Sequence, residues 1–315
     1  MTVSRRNFLK LMGLAAGTLA VGRVQAHTGG SDTAEGGFGM LTDISLCIGC
    51  RSCEQACHDI NAMPEPDEPF TDPGVFKKYR RMTEKTYTVV NKFNSVYKEG
   101  LPVYTKIQCM HCQDPACVSA CLVGALQKTK EGPVLWDSWK CMGCRYCMIA
   151  CPFEVPAYEY HKGIEPRVMK CTMCYPLVKQ GGIPACASVC PVEAIKFGPK
   201  KELLGYARER IKQHPDRYIN HIYGEHEVGG TDWIYIAPQD FATMGFLSLS
   251  PEAPPRLTEA IQHGVFKYFI PPVLLFGVLG LTMFLTKNNG GEQNDSHHTS
   301  LGDGGGPHVK GAVKK

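Results

Sequence analysis

The chain has 315 residues, of which 43% are hydrophobic, so it can bury one large core or two smaller ones without disulfide staples. Four of its 34 basic side chains (Arg5, Arg6, Lys10 and Arg23) precede Ala26, where there is no acidic residue, and the others balance the 30 acidic side chains. A nearly neutral mature chain argues against nucleic-acid binding through charge.

The first 26 residues carry the three parts of an export signal. Arg5 and Arg6 lie in the head "SRRNFLK", the apolar segment "LMGLAAGTLAVG" follows, and "VQA" ends at Ala26. The head resembles the consensus of the twin-arginine route, which implies export of a protein already folded around its cofactors. A Sec-type signal and an uncleaved anchor are the alternatives, but the apolar segment is short of the roughly 20 residues that span a bilayer.

The 16 cysteines fall into four groups of four, with none left over. In chain order the groups are Cys47, Cys50, Cys53 and Cys57; Cys109, Cys112, Cys117 and Cys121; Cys141, Cys144, Cys147 and Cys151; and Cys171, Cys174, Cys186 and Cys190.

The third group has the spacing C-x2-C-x2-C-x3-C-P of bacterial ferredoxins. Three cysteines at two-residue intervals can curl a loop around one face of an iron-sulfur cube, and the fourth then serves the neighbouring cluster. We expect the fourth cysteine to start a helix that points away from its own loop, since the proline after it suits a first helical position.

Two other kinds of site are possible for these cysteines. Eight disulfides would satisfy an even number of cysteines in an exported protein, and repeated C-x-x-C pairs also build structural zinc sites. Three thiols within seven residues fit both poorly, so the compact first and third groups favour iron-sulfur clusters. The second and fourth groups have longer intervals, and their assignment depends partly on the other two.

An internal repeat links the groups. The segments "CLVGAL" (121–126) and "CPVEAI" (190–195) each close a group, and each predicts a turn into a short strand. Groups two and three are close in sequence and make one ferredoxin-like unit, whereas groups one and four make another that wraps around it. The predicted fold is therefore α+β, with two interwoven ferredoxin-like units in residues 40–200.

The rest of the chain predicts a C-terminal extension over 201–263, a membrane anchor over 268–286 and a disordered tail over 287–315. The extension contains the helical pattern "KELLGYARERIKQH" and a double glycine that predicts a turn into the strand-like run "WIYI". The segment "YFIPPVLLFGVLGLTMFLT" carries no charge and nearly matches the thickness of a bilayer core, with a buried core helix as the alternative. The tail is rich in glycine and polar residues.

Residues 40–200 resemble the four-cluster ferredoxin subunits that accompany hydrogenases, formate dehydrogenases and other molybdopterin oxidoreductases. Leu122 departs from that family, which usually has proline there. The signal, the segment "IYGEHEVGGT" and the start "YFIPP" are similar to the periplasmic iron-sulfur subunit of hydrogenase-2-type nickel-iron hydrogenases, over nearly the whole chain. Formate dehydrogenase beta subunits share the cysteine groups, the glycine turn and the anchor, but usually lack their own signal.

The resemblance implies four 4Fe-4S clusters with crossed ligands. Each cluster takes three cysteines from one group and the last cysteine of another. The implied sets are Cys47, Cys50, Cys53 and Cys190; Cys171, Cys174, Cys186 and Cys57; Cys109, Cys112, Cys117 and Cys151; and Cys141, Cys144, Cys147 and Cys121.

The resemblance also implies a role without catalytic residues of the chain's own. The expected protein has two kinds of partner, the small and large subunits of a [NiFe] hydrogenase and a quinone-reactive integral membrane subunit. It relays electrons between the hydrogenase and the membrane subunit. It would lie on the periplasmic side of the bacterial inner membrane, held by the predicted anchor. The alternative is the iron-sulfur subunit of a formate dehydrogenase or another molybdopterin enzyme.

Overall fold

The computed structural model describes residues 37–97, 100–163, 165–266 and 270–288. The predicted signal (1–26) and nearly all of the predicted tail (287–315) lie outside these residues. The structure divides into two units, residues 1–261 and 262–315, and the first holds every cysteine.

Nine strands and eight helices are present in the described residues. The strands are β1 (Phe38–Asp43), β2 (Thr88–Asn94), β3 (Pro102–Gln108), β4 (Leu126–Lys128), β5 (Val134–Trp136), β6 (Ala157–Tyr158), β7 (Val168–Met169), β8 (Ile195–Pro199) and β9 (Trp233–Ile236). The helices are α1 (Ser52–Ile60), α2 (Ala116–Ser119), α3 (Tyr146–Ala150), α4 (Tyr175–Lys179), α5 (Ala185–Ser188), α6 (Lys200–Gln213), α7 (Arg256–Phe266) and α8 (Ile270–Asn288). Four short 3-10 helices complete the set, at Ile44–Leu46, Pro73–Lys77, Glu227–Gly229 and Phe241–Met244.

A three-stranded sheet joins distant parts of the chain in the order β8-β1-β9. Strand β1 is antiparallel to β8, with Thr42 opposite Ile195, and parallel to β9, with Met40 opposite Trp233. The strand before the first cysteine group therefore pairs with the strand after the fourth. This register brings the ends of groups one and four close together.

Helix contacts divide the cysteine groups in the same way. Helix α1, which carries the end of group one, packs against α5 of group four, whereas α2 of group two packs against α3 of group three. The hairpin β4-β5 lies between groups two and three, with Leu126 opposite Trp136. The predicted mixture of helices and strands is confirmed, and these contacts pair group one with group four and group two with group three.

The core is built around the central sheet and includes cysteines. Met40, Leu41, Trp233 and Tyr235 have no exposed surface. Met40, Trp233 and Tyr235 share one apolar cluster with cysteines from all four groups, and the long hairpin β2-β3 packs Val90 and Val103 into it. The apolar core therefore surrounds the cysteine sites and does not form a separate layer.

In the described residues, no helix is both long and apolar enough to cross a membrane, so the predicted anchor over 268–286 is not supported. Helix α8 has 19 residues, with Lys287 and Asn288 at its end.

Candidate iron-sulfur sites

All 16 cysteines lie in the described residues and are free thiols, so the structure does not contain the disulfide alternative. In the described ranges, no three His, Cys, Asp or Glu side chains converge closely enough to hold one metal ion. A cube-shaped cluster needs a different arrangement, since each of its four thiolates binds a different iron. The relevant observation is therefore which cysteines face a common space.

The loops of groups one and three have the same backbone. Gly49 and Gly143 have φ angles of +72° and +73°, and Arg51 and Arg145, which precede α1 and α3, have φ angles of +62° and +63°. In each group the two left-handed residues lie on either side of the second cysteine and turn the chain sharply there. The equal spacing of the two groups thus produces equal loops.

Close contacts also restrict Gly49 and Gly143 to glycine. A Cβ on Gly49 would lie 2.4 Å from Cδ1 of Tyr104, and a Cβ on Gly143 would lie 2.7 Å from the hydroxyl oxygen of Tyr158. The φ angle and the aromatic neighbour therefore both exclude a larger residue. Each tyrosine fixes the loop that carries the cysteines.

Groups two and four repeat a second pattern. Pro115 precedes α2 and Pro184 precedes α5, and both helices have only four residues. The Sγ atom of the last cysteine then accepts a hydrogen bond from a backbone N–H four residues on, at 3.2 Å for Cys121 and 3.3 Å for Cys190. Such hydrogen bonds to sulfur are one way in which a protein tunes a cluster.

The predicted helix start at the fourth cysteine is wrong. Cys151 follows the last residue of α3, Cys121 and Cys190 follow the ends of α2 and α5, and Cys57 lies inside α1. The helix begins earlier, because the left-handed turn after the second cysteine of groups one and three already directs the chain into it. Pro152 and Pro191, which follow Cys151 and Cys190, lie beyond the ends of α3 and α5 and begin no new helix.

The structure brings the first predicted quartet together around one cavity. One cavity is lined by Cys47, Cys50, Cys53 and Cys190, with Val90 and other apolar side chains completing the wall. Cys50 is exposed and Cys53 is buried, so this cavity lies close to the surface. The fourth cysteine comes from the far end of the cysteine-containing region, as the crossed sets require.

The second quartet lines a separate cavity. Cys57, Cys171, Cys174 and Cys186 all face it, together with Trp233. All four of these cysteines are buried. Each of the two cavities therefore has four thiols in an apolar wall.

The third quartet is identified by its neighbours in space. Cys109, Cys112 and Cys151 belong to one apolar cluster. Burial raises the pKa of Cys112 well above its usual value, and the nearby thiols of Cys109, Cys151 and Cys117 raise it further. Cys151 is thus near the second group and not only near its own.

The fourth quartet lies in the smallest apolar cluster. Cys121, Cys141 and Cys147 pack there with Leu126 and Val134 at the β4-β5 hairpin. Burial raises the pKa of Cys147 to about 11, and Cys141, Cys144 and Cys121 contribute in the same direction. Cys121 therefore lies near the third group.

Burial keeps these thiols protonated in the absence of a positive partner. It raises the pKa of Cys47 to about 11, and that of Cys117 and Cys171 to about 12. Only thiolates bind iron, so a cluster must displace these protons and supply the compensating charge. The donor set, four thiols around each of two apolar cavities, fits a 4Fe-4S cluster.

Lys106 on β3 is a site residue that the sequence did not reveal. Its side chain is buried and lines both the first and the second cavity. The Nζ atom donates to Oε1 of Gln108 at 2.7 Å and lies 4.2 Å from the ring centre of Trp233. Burial lowers the pKa of Lys106, but the nearby cysteine sulfurs, Cys186 first, together outweigh burial and raise it.

Lys170 is a second buried lysine among the cysteines. Its Nζ lies 3.9 Å from Sγ of Cys109 and donates to the carbonyl oxygens of Cys171, at 3.0 Å, and Val134. Cys109 belongs to the third quartet and Cys171 to the second. The charge of Lys170 therefore lies at the junction of the two units.

Comparison with known proteins agrees with this geometry. Residues 102–200 match the family described as a 4Fe-4S dicluster domain. The chain is 42% identical to a protein of Nitratidesulfovibrio vulgaris, over 89% of this chain and 77% of that protein. It is 32% identical to the hydrogenase-2 operon protein HybA of Escherichia coli O157:H7, over 97% of this chain and 99% of HybA.

A related subunit matches a shorter part of the chain. The iron-sulfur subunit of the nitrate-inducible formate dehydrogenase of Escherichia coli K12 is 37% identical over 62% of this chain and 66% of that subunit. The shared part is thus shorter than with HybA, whose match extends over nearly all of both chains. The chain belongs to the family of ferredoxin-type iron-sulfur proteins that includes the hydrogenase-2 operon protein HybA.

Proposed function

We propose that this protein binds four 4Fe-4S clusters and relays electrons between a [NiFe] hydrogenase and a quinone-reactive integral membrane subunit. The observation that carries the proposal is the pair of cavities, each lined by four cysteines of one crossed quartet. The clusters supply the one-electron chemistry. The chain contributes thiolates, apolar walls, and hydrogen bonds from backbone N–H groups to sulfur.

The four quartets suit a relay because they follow one another through the fold. Lys106 lines the first and second cavities, Lys170 connects the second and third quartets, and Cys117 is in the same apolar cluster as the fourth. Neighbouring sites therefore share side chains. A series of adjacent redox sites is needed only when the electron source and acceptor are too far apart for direct transfer.

The hydrogenase assignment is supported by the near full-length similarity to HybA. The twin-arginine resemblance of Arg5 and Arg6 supports the periplasm as the location, although these residues lie outside the described part of the chain. An iron-sulfur subunit of a formate dehydrogenase is the second candidate, supported by the similarity over 62% of the chain.

Deletion of the gene tests the assignment. We expect hydrogen-dependent quinone reduction to be lost, whereas hydrogen uptake with a soluble dye should persist, since the dye takes electrons directly from the catalytic subunits. Loss of formate-dependent quinone reduction alone would support the second candidate. If both quinone activities survive, the relay proposal is wrong.

The crossed ligand sets are tested by comparing cysteine variants. Cys190→Ser should remove the same electron paramagnetic resonance signal as Cys50→Ser, because both line the first cavity. Val189→Ser is the matched control: it adds the same hydroxyl group one residue away and should leave every signal in place. If Cys190→Ser instead removes the signal that Cys174→Ser removes, the crossing is contradicted.

A further inference from the structure

Lys106 is a buried cation without an anionic protein partner. Its side chain is 2% exposed, and the contacts of its Nζ are the neutral amide of Gln108 and the ring of Trp233. Among the described residues, no carboxylate lies within ion-pair distance of Lys106. A charge in such a place is costly unless another group compensates it.

The compensating groups are the cysteine sulfurs on two sides of the lysine. Cys53 belongs to the first cavity, and Cys57, Cys171 and Cys186 belong to the second; all four interact electrostatically with Lys106. A cluster with four thiolates carries a net negative charge, and reduction adds one more electron. A fixed cation beside it therefore stabilises the reduced form more than the oxidised form.

The lysine is held in place by its own backbone neighbours. The hydroxyl group of Tyr235 donates to the carbonyl oxygen of Lys106 at 3.0 Å and accepts from Nε2 of Gln108 at 2.6 Å. The same Gln108 side chain accepts from Nζ of Lys106. This closed set of hydrogen bonds is fully buried. It fixes the charge between the two cavities instead of leaving it free to move towards one of them.

We propose that Lys106 is a positioning residue shared by two clusters, which raises the reduction potentials of both the Cys47–Cys190 site and the Cys57–Cys186 site together. The inference rests on the proposed binding of clusters in these cavities. Because one charge shifts both potentials in the same direction, the difference between them changes little, while the pair as a whole accepts electrons more readily.

The test is an equilibrium redox titration of the purified complex, followed by electron paramagnetic resonance. In Lys106→Met, which keeps an unbranched side chain, we expect the equilibrium constant for reduction of both clusters to fall at least tenfold, about 59 mV for a one-electron couple. The Cys50→Ser and Cys174→Ser variants identify the two signals. The signal lost in a Cys144→Ser variant should not shift.

Lys196→Met is the matched control. It removes the same charge at a partly exposed position, where Lys196 already pairs with the exposed Glu193 at 3.4 Å. Solvent screens such a charge, so we expect a change of less than twofold in each equilibrium constant. A shift in Lys196→Met equal to that in Lys106→Met would show a general charge effect and refute the inference.

A second variant, Lys106→Gln, keeps a polar group that can still bond to Gln108. Iron and acid-labile sulfide measurements show whether all clusters are retained. Unchanged potentials, or a shift in the potential of one cluster alone, would contradict a shared role. Cluster loss in both variants would also contradict it, because a charge that only tunes the potential is not needed for assembly. These potentials do not depend on which dehydrogenase the protein serves, so the result is separate from the deletion experiment.

Discussion

Glu54 in α1 connects the first cysteine group to the hairpin β2-β3, and its replacement by glutamine is a sharp test of how the first cavity is held. The carboxylate is buried and accepts from Arg51 at 3.0 and 3.2 Å and from Arg80 at 2.6 and 3.3 Å. It also accepts from the backbone N–H of Val90 at 2.5 Å. Arg51 itself binds three carbonyl oxygens of the segment 69–72.

The expected loss of stability is large because two guanidinium groups share this one carboxylate. Glu54→Gln removes the negative charge and points an NH₂ group, which is itself a donor, at the N–H donors of Arg51 and Arg80. Breaking a buried ion pair by neutralising one partner costs about 3–5 kcal/mol. With a urea dependence of about 3 kcal/mol per M for a domain of this size, the unfolding midpoint should fall by about 1–2 M.

The assay is anaerobic urea unfolding of the cluster-loaded protein, followed by far-ultraviolet circular dichroism and by the visible absorption of the clusters. Asp59→Asn is the control on the same helix: the Asp59 side chain is 64% exposed and should cost less than about 0.5 kcal/mol. A fall of less than about 0.3 M in the midpoint of Glu54→Gln would refute the reasoning.

Two further substitutions test other parts of the site. Gly49→Ala should cost clearly more than Gly181→Ala in urea unfolding, because both have φ near +75° but only the first new methyl group meets a side chain, that of Tyr104. Equal costs would contradict the contact. Arg167 holds the pKa of the buried Glu159 carboxyl at about 2, so this ion pair is complete above pH 4.5 and fades only as the pH falls towards 2. Glu159→Gln should therefore lower the free energy of unfolding by about 1.5–3 kcal/mol. The loss should be equal at pH 5.5 and at pH 8, and a difference between the two losses would contradict this prediction.

The sequence predicted those parts of the fold that depend on local patterns. The turn into a strand after "CLVGAL" and "CPVEAI" is present as β4 and β8, and the helical pattern of the extension forms α6. The double glycine has φ angles of +83° and +90°, and the strand β9 follows it. In each case the pattern that predicts the element (cysteine spacing, glycine or apolar periodicity) lies within about ten consecutive residues. A single sequence therefore contains the complete pattern.

Other features depend on distant residues and gave no local signal. A lysine in "VYTKIQC" resembles any solvent-exposed lysine of a strand, and only the fold brings Trp233 to Lys106. Glu54 similarly finds Arg80 through a long-range contact. The predicted helix start at the fourth cysteine was wrong for a different reason: the prediction relied on proline, whereas left-handed residues such as Arg51 and Arg145 decide where the helices begin.

The pairing of β1 with both β8 and β9 also constrains the order in which the protein can be completed during synthesis. Groups two and three lie within residues 109–151, so the inner unit has all its cysteines as soon as this segment has left the ribosome. The outer unit must wait, because Cys47 needs Cys190 and Met40 needs Trp233 as neighbours. For much of translation, the thiols of group one therefore stay without their fourth partner. The inner unit can therefore complete its cysteine groups during synthesis, whereas the outer unit closes only after β9 has been made.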